Sequence, residues 1–140
     1  MLEPGASPRA FTPEGLTLAG AFSPDGKFFA ANGPDEKPVL CPFSGGDPKP
    51  LQGLEPRDIP IQWSADGESL YVTRFGEVPL RVFRYRLSTG KKDLWKALVP
   101  AERTGLVRIE SVVVTPDGKS YAYSTNRVTN SDLYIVSGWK

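Results

Sequence analysis

Histidine is absent from this 140-residue chain. That excludes Ser-His-Asp and Cys-His catalysis and the common histidine-bearing zinc sites. Cysteine occurs once, at Cys41, so an internal disulfide is impossible and the redox compartment stays open. Cys41 lies in the apolar run "VLCPF" with no adjoining cation, and reads as a small buried hydrophobe rather than a reactive thiol. No run of about 18 apolar residues occurs, and "MLEPGASPRAF" at the start lacks an apolar secretory core, so neither a signal peptide nor direct membrane insertion is expected of these residues. A surplus of charge is lacking too. The 17 Lys and Arg against 16 Asp and Glu leave +1, which gives no footprint for a nucleic-acid partner.

What is abundant is punctuation. Fourteen glycines and fourteen prolines are too many for long helices and suit short strands joined by turns. One turn is written three times, as "SPDG" (23–26), "SADG" (64–67) and "TPDG" (115–118). The first position is a hydroxyl, Ser23, Ser64 or Thr115, expected to bond the backbone two residues on. The second tolerates proline without needing it. Asp25, Asp66 or Asp117 follows, and then Gly26, Gly67 or Gly118, where positive φ is expected. Asp25 to Asp66 spans 41 residues and Asp66 to Asp117 spans 51. A repeat near 40 residues that holds several short strands is the period of a β-propeller blade. The ten additional residues are assigned to "LWKALVPAERTGLVRIE", as an insertion on a blade connection.

Strands are expected before each turn ("LTLAGAF", "DIPIQW", "RIESVVV") and after it ("KFFAAN", "SLYVTRF", "SYAYST"). The second set is apolar on both faces, as for strands sandwiched between neighbouring blades. Third strands follow at "PVLCPF", "LRVFRYRL" and "SDLYIV", and fourth strands at "PKPLQGL" and "KKDLWKAL". The fold class is therefore all-β, a partial β-propeller of three antiparallel blades with about eleven strands. The blades are placed at about 16–55, 56–98 and 106–140, after a tail or the end of a preceding blade at 1–15.

No constellation of residues points to catalysis. The aspartates of the three turns fall one per blade and read as turn structure, because a calcium loop needs its oxygens close together. Glu102 and Glu110 flank the long connection but form no acid–base pair. In "RVFRYRLSTGKK", alternation puts Arg81, Phe83, Tyr85 and Leu87 on one side and Val82, Arg84 and Arg86 on the other, which splits the arginines between faces. Trp63 is expected to pack between blades, Trp95 to lie near an outer strand, and Trp139 near the terminus. "NGPDEK" (32–37) and "NRVTNSD" (126–132) read as exposed hairpin tips open to ligand contact. No cofactor, metal or catalytic residue is assigned, and the ligand-binding residues are unknown.

The "SPDGK" turn after a short apolar strand, with "GG" closing the third, resembles the TolB-like, WD-like propeller repeat of bacteria over residues 16–137. "GLEPRDIPIQWSADGESLYV", "RVFRYRLSTGKKDLWK", "TPDGKSYAYS" and "SDLYIVSGWK" further resemble the C-terminal propeller of bacterial serine/threonine protein kinases. The resemblance implies a non-catalytic sensor or scaffold module with a protein, peptide or small-ligand partner. It would be extracytoplasmic if attached to a membrane kinase, and otherwise cytoplasmic. The chain carries no glycine-rich phosphate loop, "HRD" or "DFG", so any kinase activity would reside in another domain. The alternatives are an accessory propeller of a serine peptidase and a stand-alone structural repeat protein that self-associates. Closed propellers have four to eight blades, so three are expected to be a fragment of a longer propeller or to be completed by a homo-oligomer.

Overall fold

A computed structural model describes residues 12, 14–16 and 20–129. Among these residues there is no helix, and so none long and apolar enough to cross a membrane. Ten antiparallel strands among the described residues form three sheets. The first runs β1 (Gly20–Phe22), β2 (Phe28–Asn32), β3 (Pro38–Pro42), β4 (Lys49–Pro50) in spatial as in chain order. The second repeats that order with β5 (Ile59–Trp63), β6 (Ser69–Thr73), β7 (Leu80–Arg86) and β8 (Lys91–Leu98). The third consists of β9 (Leu106–Val114) and β10 (Tyr121–Arg127). The expected strand at "SDLYIV" and Trp139 lie outside the described residues.

The sheets stack face to face, and two apolar cores fill the spaces between them. Ala21, Ala30 and Leu51 of the first sheet and its exit meet Trp63, Leu70, Val72 and Tyr85 of the second. On the second sheet's other face, Tyr71, Leu80, Val82 and Leu98 meet Ile109, Val112 and Val114. β6 is buried at all five positions, as a strand between two neighbours must be. Full burial of a leucine or valine there is worth about 1.5–3 kcal/mol before ordering costs.

Register makes the sheets comparable position by position. Phe22 pairs with Phe29, Trp63 with Leu70 and Val114 with Tyr121, each at the edge of its turn. The next pairs inward are Ala21 with Ala30, Gln62 with Tyr71 and Val113 with Ala122.

Three expectations are corrected. The ten additional residues do not lengthen a connection: the links between sheets are residues 51–58 and 99–105, of similar size. The length goes into the strands, because β8 runs from Lys91 to Leu98 beside β7, where β4 is a two-residue strand, and β9 begins at Leu106. β10 is not buried on both faces: Tyr121 is 41% and Tyr123 37% exposed, since among the described residues only the second sheet packs on the third. Finally, the polar segments are not wholly loop tips. Asn32 ends β2 and is buried, with 34–37 exposed after it, and Asn126 and Arg127 belong to β10.

Candidate functional site

Each repeated turn is built by the same bonds. The amide N–H of Gly26, Gly67 and Gly118 donates to the carbonyl of Ser23, Ser64 and Thr115 respectively, at 2.8–2.9 Å. Glycine takes φ of +69°, +73° and +68° there, the left-handed region that costs a side chain energy. The hydroxyl does not bond the backbone two residues on, as its position suggested. It donates instead to the aspartate carboxylate: Ser23 to Asp25 at 2.6 Å, Ser64 to Asp66 and Thr115 to Asp117 at 2.5 Å. It also accepts the N–H five residues on, from Phe28, Ser69 and Ser120. The aspartate takes the two-residue role, accepting the N–H of Lys27, Glu68 or Lys119 at 3.0–3.1 Å. The hydroxyl bond first, and that N–H second, hold all three carboxyls below the ordinary aspartate value.

The first two turns converge on a groove of about 230 Å³ between the first and second sheets. Phe28, Leu40, Trp63 and Leu87 make its apolar wall, and Asp25 and Asp66 stand in its lining. Each carboxylate is about half exposed, and each meets a cation at a loose distance: Lys27 at 3.4 Å and Arg84 at 3.6 Å. The floor is rigid because the Trp63 indole N–H donates to the Ala21 carbonyl at 2.9 Å. The third turn lies outside the groove. Thr115, Asp117 and Gly118 belong to the boundary between the second and third sheets, where the Ala65 N–H donates to the Pro116 carbonyl at 2.8 Å.

That second boundary is closed for a reason visible in the register. A Cβ on Gly118 would overlap the Tyr71 hydroxyl. Ala30 holds the corresponding place on the first sheet, and a Cβ on Gly67 would meet only Pro24, at 3.8 Å. Tyr71 fills its boundary; Ala30 leaves an opening.

A second cavity, of about 170 Å³, lies beneath the 51–58 link. Asp58, 2% exposed, accepts Arg74 at 3.0 Å, Lys92 at 2.6 Å and the Glu55 N–H at 3.0 Å. Arg74 also reaches Glu55 at 2.8 Å, and the Lys92 ammonium sits 5.1 Å from the centre of the Phe83 ring. Burial pushes the Asp58 carboxyl up, but Lys92, the Glu55 amide and Arg74 together outweigh it and hold the group below its ordinary value. A carboxylate saturated by donors is a poor base. This cluster clamps the link to the second sheet, and Asn32 secures it from the first by donating to the Asp58 carbonyl at 2.8 Å.

The other candidates fall in separate places. Cys41 is 1% exposed in β3, and burial raises its thiol pKa. Glu102 accepts the Thr104 N–H, and Glu110 accepts from Arg108 and Asn126. Trp95 stands edge-on to Tyr71 and Tyr121. Arg81 pairs with Glu77 and Arg84 with Asp66, while Arg86 is exposed. No group of three or more Cys, Asp or Glu among the described residues is placed to hold a metal ion.

The turn residues were visible in the sequence, but the groove they form was not. Phe28, Leu40 and Leu87 read only as strand residues. Aligning the repeats position by position would have set Ala30 against Tyr71, the one signal that separates an open boundary from a filled one.

No family model matches the chain, and no curated relative matches it. Solved structures do. A TolB protein of Agrobacterium tumefaciens is similar over 83% of this chain and 47% of its own, with a TM-score of 0.58 and 18% identity. TolB of Acinetobacter baumannii is similar over 84% of this chain and 28% of its own, with a TM-score of 0.53 and 21% identity. The fold is that of a TolB-like β-propeller, in part. The chain spans less than half the length of either propeller protein.

Proposed function

We propose that this partial propeller is a non-catalytic binding module for a protein or peptide, and that it takes a basic side chain in the groove between its first two turns. The carrying observation is the pairing of an apolar wall, Phe28, Leu40 and Leu87, with two half-exposed carboxylates, Asp25 and Asp66. A lysine or arginine side chain has this shape: an apolar stem under a charged head. The fold of the TolB structures supports a binding role by analogy of architecture. The placement of the module at the receptor end of a bacterial serine/threonine kinase rests on the sequence segments quoted above.

The test is a titration of the ¹⁵N-labelled full chain with an acetylated, amidated Gly-Arg-Gly peptide and its Gly-Glu-Gly counterpart. Saturable shifts at Asp25, Asp66, Gly67 and Leu87 with the arginine peptide alone are expected. They should vanish in Asp25→Asn/Asp66→Asn, which keeps the turn acceptors and removes the charge. Shifts centred elsewhere, or equal responses to both peptides, refute the reading.

A further inference from the structure

Tyr71 fills the boundary between the second and third sheets at the turn end, and the opposite end of that boundary is open. There Arg57, Phe75, Gly76, Arg108, Ile109 and Glu110 line a cavity of about 520 Å³. Arg57 comes two residues before β5 and Phe75 two residues after β6, whereas Asp66 lies in the turn that joins the other ends of these strands. The five residues of β6 set the two places roughly 17 Å apart.

Charge in this cavity does not balance. The Glu110 carboxylate accepts Arg108 at 2.9 Å and Asn126 at 3.2 Å, so its charge is already engaged. The Arg57 guanidinium has no hydrogen bond or ion pair among the described residues. Acids lie close to it in the chain, but Glu55 and Asp58 are taken by Arg74 and Lys92. Two arginines and one glutamate leave a single positive charge in the lining.

The backbone holds that charge in place under strain. Arg57 has φ of +70°, a left-handed angle that burdens any residue with a Cβ. Its N–H donates to the Glu36 carbonyl at 2.9 Å, and Glu36 is itself left-handed at +61°. The next residue, Asp58, is buried in its clamp. Glycine would meet the angle without strain. A strained arginine, anchored through its backbone and unpaired at its head, points to a ligand in the cavity.

We infer that this cavity takes the carboxylate of an acidic residue flanked by an apolar one, in the protein or peptide that the module binds. This rests on the reading of a protein or peptide partner, not on the basic contact at Asp25 and Asp66. A guanidinium fork matches a carboxylate through two parallel hydrogen bonds. One net positive charge suits a monoanion, whereas a phosphate dianion would be repelled by the Glu110 carboxylate. Phe75 and Ile109 supply the apolar contact, and the space around Gly76 is clear to 4 Å from an added Cβ.

The test is a titration of the ¹⁵N-labelled full chain, at about 0.15 M salt, with acetyl-Leu-Glu-Leu-amide, acetyl-Leu-Gln-Leu-amide and inorganic phosphate. The glutamate peptide should shift the Arg57, Gly76 and Ile109 amides saturably, and the glutamine peptide should bind about tenfold more weakly. Arg57→Gln should weaken the glutamate peptide by about the same factor. Arg86→Gln, which removes an exposed arginine of β7, should leave it unchanged. Arg57→Gly separates binding from folding. Relief of the left-handed angle should keep its melting temperature at or above that of the wild type, while its affinity falls as in Arg57→Gln. The proposal is overturned by an absence of saturable shifts at Arg57, by equal affinity for the glutamine peptide, or by tighter binding of phosphate at the same amides. Unchanged affinity in Arg57→Gln overturns it as well, and so does a lower melting temperature in Arg57→Gly, which would mean that the arginine serves stability. The arginine-peptide titration reads Asp25 and Asp66 at the other end of the strands, so failure at one site is told apart from failure at the other.

Discussion

Trp63 and Ala21, 42 residues apart, are joined across the first sheet boundary by an indole N–H to carbonyl hydrogen bond of 2.9 Å. Trp63 is 3% exposed, so the bond is made in a dry core where neither group has water as an alternative. Trp63→Phe keeps most of the packing but orphans the Ala21 carbonyl, and should cost about 1–3 kcal/mol. Trp63→Ala adds a cavity and should cost roughly 3–5 kcal/mol. Urea unfolding followed by circular dichroism measures both. A Trp63→Phe variant as stable as wild type would show that the bond contributes nothing beyond ring volume.

The three turn glycines share a backbone angle but not a neighbourhood, so their alanine variants should separate. At Gly26 nothing lies within 4 Å of an added Cβ, and Gly26→Ala should cost only the left-handed strain, about 1–2 kcal/mol. At Gly118 the Cβ would also displace the Tyr71 hydroxyl. Gly118→Ala should therefore be the more destabilising in thermal melts, and Tyr71→Phe should relieve part of that difference. Identical melting temperatures would contradict the packing of Tyr71 on the third turn.

Acid should act through Asp58. Its folded pKa is lowered, against an unfolded value near ~3.9. The stability it contributes is therefore present above about pH 4 and lost as pH falls through the lowered folded value. Asp58→Asn should flatten that part of the stability–pH curve. At pH 7 the same variant should cost roughly 3–5 kcal/mol, because Lys92, only 20% exposed, loses its partner. A variant as stable as wild type at pH 7 would show that the clamp holds nothing.

How far the sequence foretold this arrangement depends on the range of each interaction. The turns were legible because every bond in them closes within five residues, from Ser23 to Phe28 or Ser64 to Ser69. The alternation in β7 was legible too, with Leu80 and Val82 facing the third sheet and Phe83 and Tyr85 the first. The Asp58 clamp was not, because its partners are 16 and 34 residues away and carry no motif. The exposed face of β10 was equally hidden: "YAYST" has the composition of a sandwiched strand, and only the stacking of sheets reveals which side is covered. The added residues before the third turn were assigned to a loop because strand length in β8 and β9 is set by pairing, which composition does not record.

Cys41 supplies a reporter for the integrity of the first sheet. It pairs with Phe29 in the middle of that sheet and is 1% exposed. Burial also raises its pKa, so the thiolate that reacts with disulfide reagents is scarce in the folded state. Ellman's reagent at pH 8 should therefore label the native chain only through opening, and the rate should climb with urea. Where opening is local to the first sheet, labelling should outpace loss of the β-sheet circular dichroism signal; where the stack opens as one unit, the two should rise together. Since the first and second sheets share one core through Trp63 and Leu70, coincidence is the expected result. Immediate stoichiometric labelling without urea would mean that the first sheet is open in solution, and would remove the wall formed by Phe28 and Leu40.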